Sequence, residues 1–415
     1  MGAPDISSDR LHIRDLAPGL GNLAWLVGVA ALVIAFAMSF FSSAESFLRG
    51  YVVGFMYTLS IALGALFFVL IQHATRAGWS VTVRRLAEYY SSGFGILAIL
   101  SLPIVLSMIF SVPAAAVHDI WPWTSAEIVS HDEILAGKAA YLNVPFFVIR
   151  MVAYFAIWIG LSRYFLNKSL EQDQSGDPQL TLQMNARSYV GIILFAFSMT
   201  FVAVDLLMSL DPHWFSTIFG VYYFAGCALS FFCLLSISIF WLQSQGRLQK
   251  SITTEHYHDV GKLAFAFIVF WAYIAYSQYM LIWYGNLPEE TAWLVVRQSE
   301  QWGPVSLLLL FGHFIVPFLA LISRIPKRGR YGLVVAACWL LVMHLVDLIW
   351  LVFPHKNHDT HTIAEFVTMD VVQTLLCTVG IFGLYLWQVL RNAAQGSLLA
   401  ERDPRLPEAL AFHNF

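Results

Sequence analysis

The sequence predicts an all-α, polytopic membrane protein with about ten transmembrane helices, and three observations support this fold class. Of its 415 residues, 59% are hydrophobic and 12% are charged, whereas about 25% are charged in a typical soluble domain. Ten apolar runs are long enough, at about 1.5 Å per helical residue, to cross a hydrocarbon core about 30 Å thick. Basic residues collect in alternate connecting segments, 17 against four, which is typical of a multi-pass protein whose positive segments stay in the cytoplasm.

The ten spans follow one another without a linker, so the sequence indicates one membrane domain over residues 20–390. They lie at about 20–41, 50–71, 92–111, 144–165, 188–209, 218–241, 260–282, 303–322, 331–352 and 367–390. The charge asymmetry places residues 1–19, an N-terminal segment, and residues 391–415, a C-terminal tail, in the cytoplasm. Residues ahead of the first span lack a signal-peptide cleavage pattern, so we expect them to stay on the chain.

The seventh span ends in a stretch, FIVFWAYIAYSQYMLIWYGNLPEET from residue 267 to 291, that is typical of a membrane surface. Trp283 and Tyr284 favour that boundary because their rings are apolar while their N–H and O–H groups need water. The following Gly-Asn-Leu-Pro cannot continue a helix. Gln278 would be costly in lipid without a partner, so we expect this span to pack against protein.

Two opposite charges lie at similar depths in adjacent antiparallel spans. Arg150 lies about six residues into the fourth span, and Asp205 is at a comparable depth in the fifth. A charge within lipid costs roughly 2.5–3.5 kcal/mol on insertion scales, so each needs a partner or a polar cavity. The sequence predicts an Arg150–Asp205 ion pair, with two interpretations: a structural pair that neutralises itself, or a polar pocket at the entrance of a proton path.

Titratable side chains also occur in the last three spans. His313 lies in the eighth span, His344 and Asp347 lie three residues apart on one face of the ninth, and Asp370 lies in the tenth. Such groups can hand protons along stepwise, although single membrane histidines also serve as hydrogen-bonded contacts between helices. The candidates for a proton path are Asp205, His313, His344, Asp347, Asp370, Gln278 and, near the cytoplasmic mouth, His73.

Cofactor motifs are missing from the sequence. It contains no C-x-x-C, no haem-attachment C-x-x-C-H, no P-loop and no Rossmann fingerprint. The cysteines lie inside apolar spans and are interpreted as small core residues; they are Cys227, Cys233, Cys338 and Cys377. His355, His358 and His361 in PHKNHDTH follow Pro354 and are typical of an exposed loop, so no metal site is predicted. A net charge of −3 gives no reason to expect nucleic acid as a partner.

Several stretches resemble one known family. They are HYHDVGKL, YSQYMLIWYGNLPEET, LIQHATRAGWSVTVRRLAE, DLLMSLDPHWFSTIFGVYYF, GHFIVPFLALISR and HLVDLIWLVFP, which together run from about residue 50 to 390. They are similar to the ActF-type membrane subunit of bacterial alternative complex III, a member of the NrfD-like, polysulfide-reductase-type family.

The resemblance implies two four-helix bundles side by side with two further helices at the edges, in a bacterial inner membrane. It implies a subunit of a quinol:cytochrome c or quinol:oxidase oxidoreductase complex, and a polar track for protons. Haems and iron–sulfur clusters are expected only in partner subunits, which include a second NrfD-like subunit, iron–sulfur and cytochrome c subunits and a terminal oxidase. A quinone is the one cofactor expected to bind this chain without a covalent bond, with Arg150 and Asp205 as candidates for its pocket.

Two other functions stay open at this point. The chain would be a purely structural membrane anchor of the same complex if its buried charges only lock helices together. It would instead be a free-standing proton-coupled transporter if it works without partner subunits. No residue is assigned a catalytic role, and any redox reaction is expected to depend on quinol and on partner subunits.

Overall fold

The ten predicted spans are present as helices. The computed structural model describes residues 6–354 and 366–413, and within these the chain is 79% helical with no strand. The spans are α1 Ala17–Met38, α2 Ala44–Ala74, α3 Val81–Phe110, α4 Val144–Ser175, α5 Gln179–Leu210, α6 Phe219–Ser244, α7 Thr254–Gly285, α8 Gly303–Ile322, α9 Arg330–Val352 and α10 Met369–Ala393. The fold class is therefore an all-α polytopic membrane protein, as predicted.

Some boundaries differ from the predicted ones, most of all at α3. This helix starts at Val81, eleven residues before the predicted start at 92, because its first turns carry charges that pair inside the protein. The Nε atom of Arg84 lies 3.1 Å from Glu88 Oε1, and Nε of Arg85 lies 2.9 Å from Glu88 Oε2. Hydropathy counts these residues as polar, whereas all three are fully buried.

The helices form two neighbouring groups. Helices α2 to α5 pack together, α6 to α9 pack together, and α6 contacts both α2 and α5. Helix α1 packs mainly on α10, which in turn packs on α2. This arrangement agrees with the two bundles and two edge helices that the resemblance implies.

Helix α2 is the most enclosed span, since 89% of its most apolar window is buried. Its contact with α6 is close: a β-carbon on Gly64 would lie 2.1 Å from the carbonyl oxygen of Cys227. Glycine is required there because backbone cannot move aside for a side chain. Three cysteines are buried as predicted, but Cys338 is exposed on α9, so its interpretation as a core residue is wrong.

The described N-terminal and C-terminal segments, which begin at residue 6 and end at residue 413, lie on one face of the bundle, here called the terminal face. The N–H of Leu398 donates to the carbonyl of Leu11 at 2.7 Å, and Nη2 of Arg247 lies 2.6 Å from Asp15 Oδ1. Because each span crosses the bundle once, the connections α1–α2, α3–α4, α5–α6 and α7–α8 and the end of α9 lie on the opposite face. That face carries the short helices Ala114–Ile120, Ala126–His131, Glu133–Lys138 and Pro288–Arg297.

The C-terminal segment is part of this packing and not a free tail. Asp403 accepts a hydrogen bond from Arg84 Nη2 at 2.7 Å and is 2% exposed. Burial alone would raise the pKa of Asp403, but the charges of Arg84 and Arg405 outweigh it and hold that pKa below its usual value. His256 Nε2 lies 3.1 Å from the carbonyl of Ala409, so the segment also contacts the start of α7.

Two arginines cap α9 on the opposite face. Arg297 donates from Nε to the carbonyl of Trp350 at 3.2 Å and from Nη2 to that of Leu351 at 3.0 Å. Arg49 donates from Nη1 to the carbonyl of Val352 at 2.9 Å. These are the last carbonyls of α9, which lack partners within the helix and carry its partial negative charge. Burial lowers the pKa of Arg297 to about 9, which leaves it charged at neutral pH.

Candidate functional site

A buried carboxylate lies where α6, α7 and α9 meet. Asp347 is 2% exposed. The hydroxyl of Tyr222 donates to its Oδ1, and the indole N–H of Trp271 donates to its Oδ2 at 3.2 Å. No cation lies within salt-bridge distance of it among the residues described. Asp347 is therefore held by two neutral hydrogen-bond donors, Tyr222 and Trp271. When its carboxyl group is ionised, no positive charge among the described residues lies beside it.

His313 of α8 lies against the same tryptophan. The two rings stack with centroids 4.0 Å apart and an angle of 21° between their planes. His313 is fully buried, and neither ring nitrogen has a hydrogen-bond partner in the described part of the chain. Buried polar atoms are normally hydrogen-bonded to protein or to ordered water, so two unpaired ring nitrogens distinguish His313 from an ordinary buried histidine.

A local widening of α8 positions His313. The helix is a π-helix over Leu310–Ile315, where the N–H of Val316 donates to the carbonyl of Phe311, five residues back. Pro317 follows and has no N–H to give to the carbonyl of His313. Single π-turns inside α-helices occur frequently at functional sites.

His344 lies one helical turn before Asp347 on α9. Its Nε2 is 2.9 Å from the hydroxyl oxygen of Ser60 on α2, which is itself 3.3 Å from that of Ser230 on α6. Its Nδ1 has no partner among the described residues. We call Tyr222, Trp271, His313, His344 and Asp347 the polar cluster. Of the seven predicted proton-path residues, the structure brings three into it.

Asp370 and His73 lie apart from the polar cluster. Asp370 accepts a hydrogen bond from Ser46, which is 14 residues from Ser60 and so about 21 Å away along α2. His73 is fully buried near the terminal face, with Nε2 4.0 Å from Glu88 Oε1 and its ring stacked on Phe165. Both ring nitrogens of His73 lack hydrogen-bond partners in the described chain.

The predicted ion pair between α4 and α5 is present. Arg150 donates from Nε and Nη2 to the two carboxylate oxygens of Asp205, both at 2.9 Å. The hydroxyl of Tyr154 donates to Asp205 Oδ2 at 2.8 Å, and Arg150 Nη1 donates to the carbonyl of Tyr141. The pair is thus satisfied by its own neighbours. Its part in a quinone pocket or a proton path stays a prediction.

Gln278 of α7 lines a large cavity next to the polar cluster. Gln278 is 5% exposed, and its Oε1 accepts a hydrogen bond from Ser216 at 3.0 Å. The cavity has a volume of about 870 Å³, and its wall includes Tyr222 and Trp271. Helix α7 ends at Gly285, with Asn286 in the left-handed region at φ +50°, as the Gly-Asn-Leu-Pro sequence predicts.

Sequence reasoning missed the residues that hold the candidates in place. Tyr222 and Trp271 appear in the sequence as two more aromatics in aromatic-rich helices, and Ser60 as a small residue in an apolar run. Arg297 lies in a connecting segment, where the sequence gives no sign that its side chain is buried. The sequence gives one indication of the donors: a buried carboxylate such as Asp347 needs hydrogen-bond donors. It does not indicate which helix supplies them.

The loop histidines His355, His358 and His361 lie outside the described residues. Within 6–354 and 366–413, no group of three or more His, Cys, Asp or Glu side chains could hold a metal ion.

His256, another histidine at a helix end, caps α7: its Nδ1 accepts a hydrogen bond from the N–H of Thr253 at 3.0 Å.

The chain was compared with models of protein families and with curated proteins, and neither comparison identified a relative. No family model and no curated protein matches the chain.

Proposed function

We propose that this chain is an integral subunit of a respiratory quinol:cytochrome c or quinol:oxidase oxidoreductase complex and that its polar cluster carries protons. The resemblance of six stretches to the ActF-type subunit supports the assignment to such a complex. The bundle arrangement is consistent with it. Haems, iron–sulfur clusters and the electron acceptor belong to partner subunits in this proposal, and the membrane is the bacterial inner membrane.

One observation carries the proton role. Asp347 is a buried carboxyl without a cationic partner among the described residues, held by Tyr222 and Trp271. An isolated buried carboxylate is costly, so the group is poised to take up a proton and to release it when a charge arrives nearby. His313, which shares Trp271 with it, has two free ring nitrogens in the described chain. Water between such groups relays protons.

The proposed orientation of the chain in the membrane follows from the charge asymmetry of the sequence. With both termini in the cytoplasm, as that asymmetry favours, the terminal face is cytoplasmic and the opposite face is periplasmic. His73 then lies towards the cytoplasmic mouth and Asp370 towards the periplasmic one. The Arg150–Asp205 pair, which is bidentate, supports the structural interpretation more than the pocket interpretation.

The test uses the complex purified from native membranes and reconstituted in vesicles. Asp347→Asn keeps the shape and the acceptor oxygen but cannot exchange a proton. We expect fewer protons moved per electron at normal subunit content, and Tyr222→Phe to cause a smaller loss. Glu171→Gln, an exposed carboxylate paired with Lys168 on α4, is the matched control and should change neither quantity.

Two results would reject the proton role. One is an Asp347→Asn complex with unchanged turnover and unchanged protons per electron. The other is loss of assembled complex with normal turnover per remaining complex, which would show a structural anchor. A chain that purifies alone, without haem or iron–sulfur subunits, would reject the assignment to the complex and favour a transporter.

A further inference from the structure

Another cavity lies between α1 and the rest of the bundle, in the half of the membrane next to the terminal face. Its volume is about 510 Å³, and its walls come from α1, α3, α6 and α10. Along α10 it extends from Val379 to Ala393, a distance of about 21 Å at the rise of an α-helix. One leaflet contributes about 15 Å of hydrocarbon, so the cavity is long enough to cross a leaflet.

We propose that this cavity holds one acyl chain of a phospholipid from the leaflet at the terminal face, and that the anionic headgroup of this lipid lies beside the start of α1 and the end of α10. The bound lipid fills the space between α1 and α6 as part of the folded structure. The inference requires only that the chain spans a membrane, and it does not depend on the proposed function.

The wall of the cavity suits a hydrocarbon chain. Its hydroxyl groups are already paired: the hydroxyl of Tyr89 donates to the carbonyl of Ser397 at 2.9 Å, and the hydroxyl oxygens of Tyr90 and Ser238 lie 2.6 Å apart. No charged side chain belongs to the described wall. A polar ligand would lose hydrogen bonds on entering such a space, whereas an apolar chain has none to lose.

The packing of α1 keeps the cavity open. Helix α1 packs on α10 and makes little contact with α3 or α6. The contact with α10 is close, since a β-carbon on Gly383 would lie 2.8 Å from the carbonyl oxygen of Ala24. Helix α1 therefore cannot approach α6 without giving up that contact. Folded proteins contain few voids larger than a water molecule, so the surrounding membrane must supply the atoms that fill this one.

The cavity opens towards lipid and is too small for a helix. On its rim, Leu23 and Val27 of α1 are 57% and 43% exposed, and Val379 of α10 is 46% exposed. These residues lie on spans, so a lipid chain can enter sideways between α1 and α6. A helix with its side chains is about 10–12 Å across, so about 21 Å of helix would occupy roughly 1,600–2,400 Å³. That is several times the volume of the cavity.

Basic residues beside the cavity favour an anionic headgroup. Arg14 and Arg391 each follow a residue that lines the cavity, and both side chains are exposed. The acidic neighbour of Arg14 in the sequence, Asp15, is already paired with Arg247. Trp241 on the wall has an indole N–H without a partner among the described residues. Arginines at a membrane surface attract anionic lipids, and tryptophan favours the same boundary.

The test is photolabelling of the protein purified from native membranes, with phosphatidylglycerol that carries a diazirine on one acyl chain. We expect label in peptides from α1, α6 and α10. Ala24→Trp fills the cavity, since Ala24 lines it, and should lower that label at least tenfold. Ala30→Trp adds the same ring to an exposed alanine of α1 outside the cavity and should leave the label unchanged.

A thermal measurement separates loss of the lipid from loss of the fold. Added phosphatidylglycerol should raise the unfolding midpoint of the delipidated natural protein in detergent, because a ligand of the folded state stabilises it. Ala24→Trp should show no such rise, while its own midpoint stays at or above that of the delipidated natural protein. A lower midpoint together with normal labelling would contradict the claim that the ring fills an empty space.

The headgroup is tested with a double variant, Arg14→Gln with Arg391→Gln. It should reduce labelling by phosphatidylglycerol severalfold and leave labelling by phosphatidylcholine with the same acyl chains unchanged. Arg187→Gln, at an exposed position of α5 away from the cavity, is the control and should change neither. Equal labelling of the natural protein by the two lipids would overturn the assignment of an anionic headgroup.

Three outcomes would overturn the acyl-chain site: no label on α1, α6 or α10, equal label in the natural protein and in Ala24→Trp, or label displaced by glycerol phosphate, which has the charge but no chain. The proposed function is tested separately, because the proton ratio of Asp347→Asn does not depend on this lipid.

Discussion

Gly226 of α6 faces the imidazole of His344 so closely that a β-carbon on the glycine would lie 2.7 Å from Cε1. The ring of His344 therefore packs directly on the backbone of α6. Its Nε2 reaches Ser60 of α2 at 2.9 Å in this position. The glycine thus decides where one member of the polar cluster points.

Gly226→Ala should displace His344 and weaken its hydrogen bond to Ser60. Overpacking a well-packed interior typically costs about 1–3 kcal/mol, so we expect a lower thermal unfolding midpoint in detergent and fewer protons moved per electron. Gly160→Ala is the control, because nothing lies within 4 Å of a β-carbon there. In a helix interior that change is worth up to about 1 kcal/mol in favour of alanine. Equal midpoints for the two variants would contradict the packing argument.

Breaking the Arg150–Asp205 pair should cost more than removing both partners. Asp205→Ala leaves a buried guanidinium without its carboxylate, which typically costs about 3–5 kcal/mol of unfolding free energy. The double variant Arg150→Met with Asp205→Leu removes both charges and should lose far less. Tyr154→Phe deletes one hydrogen bond to Asp205 and should cost about 1 kcal/mol. The free energy of unfolding is measured by denaturant unfolding in micelles. A double variant as unstable as Asp205→Ala would contradict the claim that the unpaired guanidinium of Arg150 causes the loss.

The stabilising effect of Asp403 should disappear in acid. Its pKa is lower in the folded protein than the value of 3.8 expected for an unfolded chain, because Arg84 and Arg405 outweigh burial. Pairing therefore stabilises the folded protein fully above the unfolded-state pKa, and this contribution is lost as pH falls towards the folded-state pKa. The difference in thermal midpoint between the natural protein and Asp403→Asn should shrink between about pH 5 and about pH 2.

Glu401→Gln serves as the control for that experiment, because Glu401 is exposed and lies two residues away. Its difference from the natural protein should stay small throughout the same range. A difference for Asp403→Asn that grows as pH falls would have the wrong sign and would contradict the pairing with Arg84.

The end of α9 should loosen when Arg297 is replaced. Arg297→Met removes donors to the carbonyls of Trp350 and Leu351, and hydrogen bonds to charged groups are worth about 1.5–3 kcal/mol each. We expect faster hydrogen exchange in the last turn of α9. Arg297→Lys keeps the charge but not the planar fork, so it should give an intermediate rate. An exchange rate unchanged in both variants would rule out the cap.

The sequence predicted the Arg150–Asp205 pair because the depth of a residue in the membrane can be counted from the end of its span. Two residues at the same depth in adjacent antiparallel spans can then be matched without knowledge of the tertiary structure. It also placed His344 and Asp347 on one face, since a helix repeats every 3.6 residues. It failed at the start of α3, where Arg84, Arg85 and Glu88 count as polar in any hydropathy scale. Arg84 is buried against Asp403, a partner more than 300 residues later in the chain.

The sequence by itself determined the all-α membrane fold and its ten spans, because the thickness and low polarity of a bilayer set the length and composition of each helix. Only the tertiary structure decided that Tyr222 and Trp271 hold Asp347, that His313 lies on the same tryptophan, and that a cavity opens between α7 and α8. Contacts between helices depend on how each helix is rotated about its axis and on which helices it packs against. In an apolar bundle, many such arrangements bury a similar area of apolar surface. The few arrangements that also give hydrogen-bond partners to the buried polar atoms are specified by residues far apart in the chain.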